Sequence, residues 1–129
     1  MRYNEMTLRY FESAPAAGTL DGPQVATGTA GERQQGAWVQ FQIRLETPAD
    51  GGTRIAAAQF LAFGCPHTIA TAAWVAEQAP GGPVSAELPL PVEALRRLFG
   101  VPVEKLGRLL VVEDAWRAVI ATASARVET

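Results

Sequence analysis

An apolar stretch that turns at a glycine and continues as a helix dominates this sequence, across residues 55–77. Its first half is a run of small and apolar side chains ending in a glycine, which is typical of a buried strand. Gly64 permits a sharp turn, and Pro66 suits the first position of a helix, where its missing N–H costs nothing. Beyond it, apolar side chains recur every three or four residues, as on one helix face. Cys65 is therefore predicted to lie at a helix N-terminus, where unpaired N–H groups favour a thiolate.

The rest of the chain predicts two more strands and three more helices. Apolar and polar residues alternate from 37 to 45, which indicates a strand with one wet face. Segment 12–23 reads as a loop and 31–36 as a turn, and the aspartate and glycines of 47–52 predict a hairpin. Helices are predicted at about 3–11, 66–78, 92–99 and 102–126, and strands at about 25–29, 37–45 and 54–63.

This order predicts an α+β fold in a single domain that spans residues 1–129. We expect a three-stranded antiparallel sheet, with an N-terminal helix and C-terminal helices packed on it. One face of the sheet should pack against the last helix. The side chains expected in that core are Val39, Phe41, Ile43, Phe60, Leu109, Val112 and Trp116.

Composition excludes several classes of function. The net charge is −2, with 13 acidic and 11 basic residues well mixed, so no basic patch predicts nucleic-acid binding. The N-terminus lacks the apolar core of a signal peptide, and no apolar run approaches a membrane span. The single cysteine excludes an internal disulfide and suits a reducing compartment. The prediction is a soluble, cytoplasmic protein with no membrane or nucleic-acid partner.

The sequence lacks the residues that common catalytic and metal sites need. Cys65 and His67 are the only soft metal ligands in the chain, whereas zinc needs three or four ligands. A histidine two residues beyond a helix-start cysteine points roughly 200° away from it, which disfavours a cysteine–histidine hydrolase. No phosphate-binding loop is present. We therefore expect no catalytic residues. The plain alternative for Cys65 is a small buried hydrophobe, and for His67 a structural or surface histidine.

Four stretches, in order along nearly the whole chain, match one known family. They are YNE (3–5) with YFE (10–12), AQF (58–60) with FGC (63–65) and IA (69–70), VPVEK (101–105), and EDA (113–115). Together they resemble the motifs of the iron–sulfur cluster assembly scaffolds of the IscU/NifU N-terminal family. The resemblance implies that family's fold and a scaffold or binding role rather than an enzyme. It also implies a cysteine desulfurase or a chaperone as partner, with Pro102 and Lys105 in the chaperone-recognition segment.

The departures from the family pattern concern the site itself. The family holds a cluster, or zinc in its place, with three cysteines helped by an aspartate and a histidine. The resemblance maps those five positions onto Gln35, Ala37, Cys65, Gly107 and Arg108, of which Cys65 alone keeps ligand chemistry. An amide and a guanidinium, which has no lone pair to offer, do not bind iron or zinc usefully. No complete zinc site within the chain is expected.

Three functions are compatible with this sequence. The predicted one is a divergent assembly scaffold-like protein with a degraded ligand set, which acts with the cluster-assembly machinery. Cys65 then gives one ligand to a cluster shared with another chain or a small thiol, and His67 is the less well-placed second candidate. The second is a partner-binding or regulatory module without metal, in which Arg108 meets an acidic group or the Cys65 thiolate. The third is a thiol or persulfide carrier that uses Cys65. The sequence names neither a bound cofactor nor an oligomeric state.

Overall fold

The protein consists of one antiparallel sheet with helices packed against it, as the sequence predicted. The computed structural model describes residues 3–127, the last of them by its backbone alone. The elements are α1 (Glu5–Ser13), β1 (Val25–Glu32), β2 (Ala37–Glu46), β3 (Arg54–Phe63), α2 (Pro66–Gln78), α3 (Val92–Leu98) and α4 (Leu106–Val127), with short 3₁₀ turns at Arg33–Gln35 and Val103–Lys105. The expected α+β fold class is confirmed.

The three strands lie in the order β1-β2-β3, and both neighbouring pairs are antiparallel. The β2–β3 hairpin turns through Gly51 and Gly52, whose φ angles of 86° and 68° are strained for other residues. All seven residues predicted for the core are buried. At its centre the ring of Phe41 meets Trp116 of α4 edge to face, with centroids 5.3 Å apart. The predicted packing of the sheet against the last helix is therefore confirmed.

Strand β1 is longer than its local sequence predicts. The expected strand covered residues 25–29, and residues 31–36 were expected to form a turn. In the structure Gly31 pairs with Trp38 and Glu32 with Ala37, so the ladder with β2 continues to the end of β1. The backbone hydrogen bonds of β2 thus override a glycine-rich, polar sequence that predicts a turn.

The start of the last helix also differs from the prediction. Pro102 was expected to open the helix, but it caps the 3₁₀ turn Val103–Lys105, and α4 begins at Leu106. A proline can begin either kind of turn, because the first turn of a helix does not use its missing N–H. Asn4 caps α1, since its side chain accepts a hydrogen bond from the Thr7 backbone N–H at 2.9 Å. Between residues 3 and 127, no helix is both long and apolar enough to cross a bilayer.

The loop after α1 covers part of the outer face of the sheet. Its backbone pairs with the edge of β3, where the Gly18 N–H donates to the Phe60 carbonyl at 2.9 Å. Further along, the Leu20 N–H donates to the Gln42 side chain at 2.8 Å, and Arg44 donates to the Asp21 carbonyl. The loop thus pairs with β3 at Phe60 and contacts β2 at Gln42 and Arg44. Beyond it, Leu61 and Phe63 at the end of β3 remain exposed.

Candidate functional site

The junction between β3 and α2 places Cys65 at the edge of the sheet. Cys65 is the N-cap residue of α2, with φ −74° and ψ 168°, and Pro66 occupies the first helical position, as predicted. Gly64 lets two backbones approach closely, since a Cβ built on it would lie 3.2 Å from the Gly36 carbonyl oxygen. The same Cβ would lie 3.0 Å from the Thr68 hydroxyl. The turn before β2 and the first turn of α2 therefore meet beside the cysteine.

The Cys65 thiol is half-buried and surrounded by hydrogen-bond donors. Its Sγ lies 3.8 Å from the hydroxyl oxygen of Thr68. Partial burial acts to raise the pKa of the Cys65 thiol, but the N–H and hydroxyl of Thr68, the N–H of His67 and the Arg108 guanidinium all act to lower it. The donors prevail, and the pKa lies below the ordinary value for a cysteine. At neutral pH the thiolate is therefore more populated than in a free cysteine.

His67 lies in the interior rather than facing the thiol. It is only 1% exposed, and its ring packs edge to face against Tyr3 with centroids 4.8 Å apart. Within residues 3–127, neither ring nitrogen has a hydrogen-bond partner. Burial lowers the pKa of His67, and the positive charges of Lys105 and Arg108 lower it further. The imidazole is therefore neutral at pH 7. Its buried surroundings are those of a structural histidine, one of the alternatives given in the sequence analysis.

The other former ligand positions lie on three elements around this junction. Gln35 ends the 3₁₀ turn before β2, and Ala37 begins β2 with only 5% of its surface exposed. Gly107 and Arg108 lie in the first turn of α4, and Gly107 is exposed. The Arg108 guanidinium acts to lower the pKa of the Cys65 thiol, while its buried Nε has no partner within the described part of the chain. Of the four other positions, Arg108 is thus the one that acts on the thiol.

These residues do not fit a metal ion or a cluster held by this chain alone. Among residues 3–127, no group of three or more histidine, cysteine, aspartate or glutamate side chains is placed to hold a metal ion. Beside the single thiol stands a guanidinium, which carries a positive charge and has no lone pair for a metal. A tetrahedral site needs three further donors, and these would have to come from outside the chain.

The predicted partner-binding residues lie at the same end of the molecule. The N–H of Lys105 donates to the Pro102 carbonyl at 2.9 Å, which closes the 3₁₀ turn before α4. The positive charge of Lys105 acts to lower the pKa of His67 in α2. Val103 between them is 66% exposed. An apolar side chain thus projects from this turn, close to the Cys65–Arg108 pair.

The sequence reasoning missed an aromatic cluster on the outer face of the sheet. The cross-strand pair Trp38 and Phe63 lies beneath the Arg33 guanidinium, at 5.0 and 6.0 Å from the two ring centroids. Phe63 is 49% exposed and Leu61 is 38% exposed. The available signal was Trp38 itself, an aromatic residue on the polar side of an alternating strand. We call Arg33, Trp38, Leu61 and Phe63 the Trp38 patch.

Comparison with known proteins decides the family. The NifU-like N terminal domain family matches residues 2–129, nearly the whole chain. The chain belongs to this family. It is 28% identical over 120 residues to iron-sulfur cluster assembly protein 3 of Arabidopsis thaliana, which covers 92% of this chain and 68% of that protein. It is 27% identical over 128 residues to the iron-sulfur cluster assembly scaffold protein IscU of Haemophilus influenzae, which covers 98% of each.

A solved structure supports the family fold independently. An iron-sulfur cluster assembly scaffold protein for the SUF system from Fervidobacterium islandicum AW-1 superimposes with a TM-score of 0.64. The match covers 92% of this chain and 96% of that one, at 12% sequence identity. At such low identity the likeness concerns the fold alone. This NifU-like N terminal domain therefore has the fold that the sequence resemblance implied.

Proposed function

We propose that this chain is a divergent iron–sulfur cluster assembly scaffold-like protein that acts with the assembly machinery without holding a complete cluster by itself. The observation that carries the proposal is the place of Arg108 in the first turn of α4, where its guanidinium acts to lower the pKa of the Cys65 thiol. A positive charge at the thiol repels an incoming metal cation and already compensates the thiolate. The role is that of a scaffold-like or binding protein rather than an enzyme.

Family membership supports the link to cluster assembly. The similar proteins of Arabidopsis thaliana and Haemophilus influenzae are both named for iron–sulfur cluster assembly. We expect a member that has lost most ligands but kept the fold to retain surfaces through which such proteins meet their partners. A single free cysteine suits the reducing cytoplasm, where we place the protein.

The expected partners are a cysteine desulfurase or a chaperone of the assembly machinery. Two exposed features flank the Cys65–Arg108 pair, namely the Trp38 patch and the turn from Pro102 to Lys105. Tryptophan and arginine are enriched where interfaces concentrate their binding energy. We expect Phe63→Ala to weaken binding to the desulfurase and Lys105→Ala to weaken binding to the chaperone, both measured by calorimetry. Arg117→Ala, an exposed change in the middle of α4, is the control that should alter neither.

Metal retention tests the missing ligand set directly. The protein is purified without oxygen, incubated with ferrous iron and sulfide, desalted and analysed for iron and sulfide. We expect the wild-type chain to retain neither in stoichiometric amount. A variant with Gln35→Cys, Gly107→His and Arg108→Cys supplies three thiols and an imidazole, and should retain metal with much higher affinity.

A matched control separates site geometry from the mere number of thiols. Gln24→Cys with Arg117→Cys adds two thiols far from Cys65, on exposed positions, and should retain no more metal than the wild type. A wild-type chain that holds a full cluster alone would overturn the proposal. A restored variant that folds yet binds no better than this control would show that the mapped positions do not form one site.

A thiol or persulfide carrier is the second candidate function. The observation that favours it is the position of the half-buried Cys65 at the N-cap of α2, 3.8 Å from the Thr68 hydroxyl, where a pKa below the ordinary value increases the thiolate population. Alkylation of the native protein by iodoacetamide across the neutral range tests this role. A thiol that does not react below pH 8, although it reacts after denaturation, would eliminate the carrier.

A further inference from the structure

The two edges of the sheet differ in whether their backbone groups have partners. On the β3 edge, the Phe60 N–H donates to the Ala16 carbonyl at 3.0 Å, and the Phe60 carbonyl accepts from the Gly18 N–H at 2.9 Å. Further along this edge, Ile55 exchanges two backbone hydrogen bonds with the loop that follows α2. Two loop segments therefore close the β3 edge.

The β1 edge is open along most of its length. At its start, the Val25 N–H donates to the Gly22 carbonyl and the Val25 carbonyl accepts from Arg126, so both groups point away from β2. Because the backbone groups of an antiparallel strand alternate in direction, those of Thr27 and Thr29 point the same way as those of Val25. Both threonines are exposed, and between residues 3 and 127 these four backbone groups have no hydrogen-bond partner.

Strand β1 also lacks the features that usually protect an open edge. Natural sheets block such edges with charged side chains, prolines or β-bulges, because unpaired N–H and C=O groups recruit other strands. Residues 25–31 contain no charge and no proline, and their pairing with β2 is continuous, without a bulge. The exposed backbone therefore matches one more extended strand.

The position of α4 decides where that strand comes from. Gly28 packs directly against the helix, since a Cβ built on it would lie 2.1 Å from the Val119 nitrogen. If the β1 strands of two copies paired, both α4 helices would lie on the same face, above strands only about 4.8 Å apart. Packed helices need about 8–10 Å between their axes. The added strand must therefore belong to a segment that has no helix on that face, which excludes β1 of a second copy.

Charges at the two ends of the edge set the direction of this segment. Glu32 is exposed at the end of β1, and Arg126 lies at the start, where it donates to the Val25 carbonyl at 2.6 Å. A strand antiparallel to β1 begins beside Glu32 and ends beside Val25. A basic first residue and an acidic last residue therefore complement the edge.

We propose that the β1 edge binds an extended segment of a partner protein, which adds a fourth, antiparallel strand with a basic start and an acidic end. This docking site is separate from the Trp38 patch and from the turn at Val103–Lys105. The inference goes beyond the role in cluster assembly and does not depend on it, because neither Cys65 nor Arg108 takes part.

A synthetic peptide tests the edge directly. It consists of lysine, valine, threonine, valine, threonine and glutamate, since alternating β-branched residues favour an extended strand. Its binding to the isotope-labelled protein is followed by NMR. We expect the largest shifts at Thr27 and Thr29, and slower exchange of their N–H groups in the complex. The same peptide with lysine and glutamate exchanged should bind more weakly. Shifts confined to the Trp38 patch would overturn the proposal.

Matched variants separate the backbone contact from the side chain. Thr29→Pro removes an N–H that points away from β2, so the sheet stays paired, and should weaken peptide binding by roughly tenfold. Thr29→Val keeps that N–H and should bind like the wild type. If Thr29→Pro does not fold, a peptide N-methylated on the amides that face β1 is tested against the wild type in its place. Binding that survives the loss of these N–H groups would refute strand addition, and a wild-type dimer that Thr29→Pro abolishes in sedimentation would show that a second copy occupies the edge instead.

Discussion

Replacing Gly28 by alanine should destabilise the protein, because β1 crosses α4 there with no room for a side chain. A Cβ built on Gly28 would lie 2.1 Å from the backbone nitrogen of Val119 and 2.5 Å from its Cα. Favourable carbon contacts lie near about 3.5–4.0 Å. The strand and the helix would therefore have to separate by roughly 1–2 Å, since neither set of backbone atoms can rotate away.

The sign of the effect depends on this clash alone. Inside a strand, alanine is otherwise better than glycine by roughly 0.5–1 kcal/mol, because it loses less conformational entropy. Overpacking a dense interior costs about 1–3 kcal/mol, and more where backbone must move. We expect a net loss of about 2 kcal/mol or more from the free energy of unfolding. Gly107→Ala is the opposite case, because a Cβ there would have nothing within 4 Å, and it should gain up to about 1 kcal/mol.

Equilibrium unfolding in urea, followed by circular dichroism, measures both changes. The midpoint for Gly28→Ala should fall below that of the wild type, and the midpoint for Gly107→Ala should rise, with similar slopes. A Gly28→Ala variant as stable as the wild type would show that β1 and α4 do not touch at this residue. The position of α4, and with it the approach of Arg108 to Cys65, would then need revision.

Three further predictions follow from the core and the site. Phe41→Ala should lower the free energy of unfolding, measured in urea, by roughly 3–5 kcal/mol. Phe63 is half-exposed on the opposite face of the sheet, so Phe63→Ala should lower it by less than about 1 kcal/mol. Similar losses for the two variants would contradict the assignment of the buried face. Because the folded pKa of His67 is lowered, the unfolded chain binds that proton first, so stability should fall as pH drops below about 6.5, and less so in His67→Phe. Arg108→Gln should raise the Cys65 titration midpoint in an alkylation profile; no change would place the guanidinium elsewhere.

The parts of the fold that could be predicted are those in which local chemistry and tertiary packing agree. The alternation of residues 37–45 is typical of a strand in a sheet that is buried on one face. It predicted the bounds of β2 to within one residue. The Gly64–Cys65–Pro66 junction likewise has one plausible geometry, a strand end followed by a helix start. The end of β1 was missed because pairing with β2 formed it, and pairing leaves no mark in the sequence of β1 itself.

The site was predictable in its position but not in its contacts. The family resemblance placed Cys65 and Arg108 near each other, and the structure adds that the guanidinium acts to lower the pKa of the thiol. The His67 ring packs against Tyr3, which is far away in sequence, so no local sequence pattern predicts that His67 is buried. The stacking of Arg33 on two rings also needs the β2–β3 register, which brings Trp38 opposite Phe63.

Arg108 changes how the negative charge of a Cys65 thiolate is compensated. A half-buried thiolate needs compensation, which a metal ion would otherwise supply, because burial alone raises the pKa of the Cys65 thiol. The guanidinium of Arg108 supplies one part, and the donors of the first turn of α2 supply the other. Each donor is built into the chain, so the pKa of the Cys65 thiol lies below its ordinary value without metal. A site arranged in this way gains little from binding iron or zinc, since a cation would first have to displace Arg108 from the sulfur.

We therefore expect the Arg108→Cys substitution, rather than Gln35→Cys, to account for most of the metal affinity of the restored variant. Single substitutions assayed for zinc would test this order, and a larger gain from Gln35→Cys would contradict it.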